Sequence, residues 1–170
     1  MALRINAARG ALALASGLAL CAALAVPAAA QTQRGMVSAA QPEGLVAVLK
    51  GAGYETTLDK DDLGDPLIRF RGEGYRVTML FYGCDKTTHK GCDSVQFRTA
   101  FDREEPWTAR AVSDFAAKYR YASASLDDEG DPVFTWDVVT GDGIPAAVFL
   151  SSVRRFENTI SNAAELVFGK

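Results

Sequence analysis

The chain has one histidine in 170 residues, three cysteines, and no G-x-S-x-G elbow. A general base needs a nucleophile beside it and a third group to orient it. His89 sits in a Lys/Thr-rich loop without either in sequence reach, so it reads as an exposed loop residue. Charge is almost absent from the first thirty residues, where Arg4 and Arg9 are the only charged side chains. These two arginines are not adjacent, which excludes a twin-arginine signal.

What fills that segment is an apolar run from Ala11 to Val26, broken by Pro27 and followed by Ala28-Ala29-Ala30. A basic start, an apolar centre and an A-x-A site predict a cleavable export signal over residues 1–30. The run falls short of the roughly 20 residues that a transmembrane helix needs. Cys21 follows a bulky Leu20, which argues against a lipoprotein signal. Residues 31–41 are small and polar and are expected to form a flexible leader. Residues 42–170 form one domain, large enough to bury a core. The expected localisation is periplasmic, with no stable membrane insertion after cleavage.

Without residues 1–30, sixteen Lys+Arg face twenty-one Asp+Glu, a formal net charge of −5. An acidic domain of this kind is a poor nucleic-acid binder. Cleavage also removes Cys21 and leaves Cys84 and Cys92. An even pair in an exported chain predicts a disulfide. The rival is a metal site including His89, but two thiols and one imidazole are one ligand short of a closed zinc site. Asp59, Asp61, Asp62 and Asp65 invite a calcium reading, with Gly64 at loop position six. Position twelve would be Phe70 where an EF-hand requires glutamate. No metal and no cofactor are expected.

Along the domain, Pro42–Ala52 carries a helical stripe ended by glycines. Tyr54–Leu58 is expected to open a sheet. Leu67–Arg71, Tyr75–Tyr82 and Ser94–Phe101 alternate apolar and polar residues at the period of strands. Gly72-Glu73-Gly74 is a hairpin turn. Pro106 is expected to open a second helix along Trp107, Ala111, Phe115 and Tyr119. Tyr121–Leu126 and Val133–Val139 are strands joined by the turn Asp127–Pro132. Pro145 starts a long last helix with Phe149, Val153, Phe156, Ile160 and Val167 on one face, and with Arg154, Arg155, Glu157 and Asn158 off it. The expected fold is α+β in the order α-β-β-β-β-α-β-β-α, an antiparallel sheet with helices on one side.

Arg69, Arg71, Arg76 and Arg98 alternate against the apolar face of three successive strands, with Tyr82 and Leu80 adding apolar area. Arginine beside an aromatic is what partner surfaces favour. These residues are the candidate partner-binding set, against the plainer reading of a solvated sheet face.

From Trp107 onward the chain reads W-x7-F-x3-YRYASASLDDEGDP-x-F-x-WDVVTGDGI, then a helix with V-x2-F ending at Phe156. This stretch resembles the YbjN family of small bacterial proteins, which share the tryptophan, the acidic-glycine turn and the glycine pair before the last helix. The resemblance spans Pro42–Phe168. It implies a fold similar to type III secretion chaperones and a sensory-transduction regulator role, and it brings no catalytic residues. The function expected first is a non-catalytic exported binding or regulatory module acting through protein–protein contact, with a protein partner or as a homodimer. A periplasmic small-ligand or lipid binder, with a pocket between helices and sheet, is the alternative. A divergent hydrolase is the third reading.

Overall fold

Alternation is clearest in the middle of the domain, and there the sheet forms as the sequence predicts. The computed structural model describes residues 35–169. The elements, in chain order, are β1 (Met36–Val37), α1 (Pro42–Gly51), β2 (Thr56–Lys60), β3 (Pro66–Gly72), β4 (Tyr75–Tyr82) and β5 (Ser94–Ala100). They continue as α2 (Ala109–Lys118), β6 (Ala122–Leu126), β7 (Pro132–Val139), β8 (Ile144–Pro145) and α3 (Ala146–Phe168). Six strands form one sheet in the order β2-β3-β4-β5-β7-β6, and β1 pairs with β8 separately. Every pairing is antiparallel. The expected α+β class, with helices on one side of the sheet, is what the structure shows.

The β3–β4 hairpin is closed by Glu73 and Gly74, both at positive φ (49° and 86°), with Gly72 opposite Tyr75. Two left-handed residues make the turn whose twist matches the strands it joins. This fixes the register that puts Ile68, Phe70, Val77, Met79, Val95 and Phe97 on one face, all buried. Phe97 is the centre of that face, with ring contacts to Phe70, Phe149 and Phe156 at 6.5, 5.9 and 5.7 Å. α3 therefore packs on the middle of the sheet through the stripe Phe149, Val153, Phe156 and Ile160. α2 closes the far end, where Phe115 lies 4.8 Å from Phe134. Fully burying one such side chain stabilises by roughly 1.5–3 kcal/mol.

Four expectations are corrected. Residues 35–41 are not a flexible leader: Val37 and Ala39 are buried, and the Ala39 N–H donates to Thr140 Oγ1 at 2.9 Å. A two-residue strand carries no readable alternation, so the sequence hides it. Residues 1–34, including the expected export signal, lie outside the described residues. The second helix starts after Thr108 rather than at Pro106, because the Thr108 hydroxyl accepts from the Ala111 N–H at 3.1 Å and caps it. Trp107 stays outside the helix, donates its backbone N–H to Gly130 O at 2.9 Å, and sets its ring against Phe134. The opening strand falls at Thr56–Lys60 rather than Tyr54–Leu58, because Tyr54 turns inward against Phe70. Glu157, expected off the apolar face of the last helix, is buried.

Candidate functional site

The face of the sheet opposite the helices carries the predicted partner-binding set. Arg69, Arg71, Arg76, Arg98 and Tyr82 are all exposed there, on β3, β4 and β5. Arg71 stands directly opposite Arg76, while Arg69 and Arg98 flank Thr78 from the two sides. Like charges directly opposite across a ladder are destabilising. Arg69 is tied to Asp59 at 2.8 Å, and the Arg71 guanidinium donates to Gly74 O at 3.4 Å. Among the described residues the guanidiniums of Arg76 and Arg98 have no hydrogen-bond or ion-pair partner. The Arg69 pair is solvent-exposed and worth little to stability. The Lys60 amide and then Arg69 hold the Asp59 carboxyl below the usual carboxylate range. The same face also holds a short polar chain: Gln96 donates to Asp137 at 2.9 Å, and Tyr82 reaches Gln96 at 3.5 Å.

Cys84 and Cys92 are bonded, closing the loop between β4 and β5. Replacing both with serine should lower the unfolding free energy by about 2–3 kcal/mol, the chain-entropy gain for a loop of this length. Urea melts of the oxidised parent and the double variant would show it, and matching midpoints would mean the bond is idle. The same loop corrects the reading of His89 as an unpartnered exposed residue. Its Nδ1 lies 2.8 Å from Asp65 Oδ1, and its ring packs over Gly64. His89 is thus half-buried and clamps the acidic loop to the disulfide loop. Asp65 is the orienting group that sequence reasoning missed, since the two are 24 residues apart. No nucleophile joins the pair among the described residues: Cys92 is oxidised, and the Thr88 hydroxyl donates to Asp85.

The acidic loops use their carboxylates locally. Asp61 accepts from the Leu63 and Asp65 amides, both at 2.9 Å. Asp127 accepts from the Glu129 and Asp131 amides, and Asp131 accepts from the Arg103 amide. Both are side-chain turns of the kind aspartate favours. Among the described residues no group of three His, Cys, Asp or Glu side chains could hold a metal ion. No described helix is long and apolar enough to cross a membrane.

One buried polar pair lies inside. Glu157 accepts from the Tyr54 hydroxyl at 2.8 Å. Burial raises the Glu157 carboxyl, the Tyr54 bond opposes this, and the Glu73 charge adds to it. Burial, then the bond and charge of Glu157, pushes Tyr54 up to about 12. The Glu157 side chain is buried, with its carboxyl against Gly72, so the pair reads as structural.

A helix-backed antiparallel sheet with an exposed arginine face defines a small α+β domain. The model of the YbjN family, "Putative bacterial sensory transduction regulator", matches residues 41–168. The chain belongs to the YbjN family, whose description is that of a regulator. Its fold is similar to that in the crystal structure of YbjN, "a putative transcription regulator from E. coli". That likeness has a TM-score of 0.53 and 16% identity, and covers 71% of this chain and 85% of that one. At this identity it speaks for the fold. Among curated proteins none matches the chain. Two of the features behind the resemblance meet in space: the Trp107 backbone N–H donates to Gly130 O in the acidic-glycine turn, and the Trp107 ring packs on Phe134. They are fold-determining contacts.

Proposed function

We propose that this chain is an exported, non-catalytic regulatory module that acts through protein–protein contact, with the outer sheet face as its contact surface. One observation carries the reading: the four arginines and Tyr82 share a face that no described helix covers, in a chain of net negative charge. Placing Arg71 opposite Arg76 costs stability, and among the described residues Arg76 and Arg98 have no partner to offset it. A partner presenting carboxylates would supply bidentate acceptors to those guanidiniums. The partner is a second protein; a homodimer would have to juxtapose two such faces and repel itself.

Replacing Arg71 and Arg98 with glutamate should abolish partner co-purification after crosslinking in intact cells. Both side chains are exposed, and Arg71→Glu turns a like-charge cross-strand pair into an opposite-charge one, so the melting temperature should not fall. Equal recovery of the partner by both versions would end the reading. Export has its own check: N-terminal sequencing of the native protein should begin after Ala30. Recovery of full-length chain from cytosol, with Cys84 and Cys92 open to alkylation, would remove it.

A further inference from the structure

At the β6 end of the sheet the ladder stops early. β6 pairs with β7 only from Leu126↔Pro132 to Ala122↔Trp136. Among the described residues, Asp137, Val138 and Val139 therefore pair with β5 on one side and with no strand on the other. The cause is Tyr121, a non-glycine residue at φ 68° that turns the chain away from β7 just before β6 begins. For an aromatic residue this conformation costs about 1–2 kcal/mol. Such a cost persists where the surroundings over-determine it, and sites of this kind cluster at functional positions. Here the turned ring lies 5.4 Å from Trp136, and the Arg120 guanidinium covers it at 5.1 Å.

Beside the bare edge runs an open groove of about 1040 Å³, between the end of α2, the end of β7 and the first half of α3. Large exposed apolar side chains collect along it: Tyr121 at 67%, Val139 at 74% and Val148 at 52%. The groove has three cations, Lys118, Arg120 and Arg155, against one carboxylate, Asp137. That balance is the reverse of the chain as a whole, whose net charge is −3. Asp137 is already engaged by Gln96. None of the three cations has an ion-pair partner among the described residues.

We infer that this groove binds an extended acidic segment of a partner protein, which adds a short strand to the free edge of β7. The bare edge is about 10 Å long at 3.4 Å per residue, enough for a few backbone hydrogen bonds. Strand addition takes its affinity from such bonds and its specificity from alternate side chains. In the bound segment apolar residues cover Tyr121 and Val148, while alternating carboxylates meet Lys118, Arg120 and Arg155. A free strand edge favours a peptide over a lipid or small metabolite, because neither of those satisfies a row of backbone donors and acceptors. The inference is independent of the outer-face reading, since the two surfaces share no arginine.

The test is selection of a random-peptide phage library on the mature chain, followed by fluorescence anisotropy with a labelled synthetic copy of the most enriched peptide. The enriched sequences should alternate acidic and apolar residues. The combined Lys118→Glu, Arg120→Glu, Arg155→Glu variant should bind that peptide at least about tenfold more weakly, mainly through faster dissociation. The Arg71→Glu, Arg98→Glu variant should bind it unchanged, so a failure here and a failure of the outer face are read separately. Bound peptide should slow hydrogen exchange at the Asp137–Val139 amides. If the glutamate variant unfolds, glutamine at the same three positions replaces it. Enrichment without acidic residues, undiminished binding by the charge variants, or unchanged exchange at 137–139 would each overturn the inference. Binding of phosphatidylglycerol vesicles without peptide enrichment would assign the groove to lipid instead. A concentration-dependent dimer lost in the charge variant would assign it to a second copy.

Discussion

Phe97→Ala should lower the unfolding free energy by about 3–5 kcal/mol, the range for removing a fully buried aromatic ring from a core. Phe97 is completely buried on a central strand, and it touches Phe70 from its own sheet and Phe149 and Phe156 from α3. Three aromatic rings therefore lose their common neighbour at once, and two of them belong to a helix that cannot shift without dragging the loop before it. That loop is bound to β1 by the Val37↔Ile144 pair and by Ser38 Oγ donating to Gly141 O at 3.0 Å. The cavity cannot close by local collapse, which places the cost at the upper end. Set against a total of about 5–15 kcal/mol for a domain, the loss is large. Urea titration of parent and variant at equal m-value measures it. A change under about 1 kcal/mol would show that the core repacks, and that Phe97 is not its centre.

The contrast between what the sequence discloses and what it conceals follows from range. β3, β4 and β5 were legible because alternation is local: Ile68, Phe70, Val77, Met79 and Val95 reveal the buried face within a few residues of each other. The arginine face follows from the same parity, since every second residue points the other way. Only the adjacency of the strands had to be assumed, and the β3-β4-β5 order supplies it. The contacts that could not be read join distant positions. His89 meets Asp65 across 24 residues, and Tyr54 meets Glu157 across 103. The groove at β7 is hidden for a related reason. Its free edge exists because β6 starts at Ala122, and that boundary depends on the left-handed backbone of Tyr121. An aromatic between Arg120 and Ala122 gives no sign of it. Glycine at Gly74 announces a turn, whereas tyrosine announces a strand.

Glu157 was assigned to the polar side of α3 because it is charged. Its burial makes Gly72 the second sensitive position. Gly72→Ala should destabilise by about 1–3 kcal/mol, the usual cost of forcing a methyl into filled space. Backbone freedom is not the reason, since Gly72 is not among the positive-φ residues. A Cβ there would collide with the Glu157 carboxylate oxygen and lie 2.8 Å from its Cγ. The carboxylate can retreat only by giving up the Tyr54 hydroxyl, 2.8 Å away. Combining Gly72→Ala with Glu157→Ala should therefore recover most of the loss, a coupling that a double-mutant cycle reads directly. Glu157→Gln keeps the shape and an acceptor for Tyr54 while removing the buried charge. Burial raises the Glu157 carboxyl above its ordinary value of 4.5, so the folded state holds that proton more tightly than the unfolded chain. Its contribution to stability is complete below the ordinary carboxylate range and is lost as pH rises through the raised value. The glutamine variant should thus be more stable than the parent at about pH 8, with the difference shrinking as both are taken toward about pH 4. Melting temperatures measured across that window decide the matter. A difference that does not change with pH would mean the carboxyl is as well solvated in the fold as in water, and the collision predicted for Gly72→Ala would then be relieved simply by Glu157 swinging out.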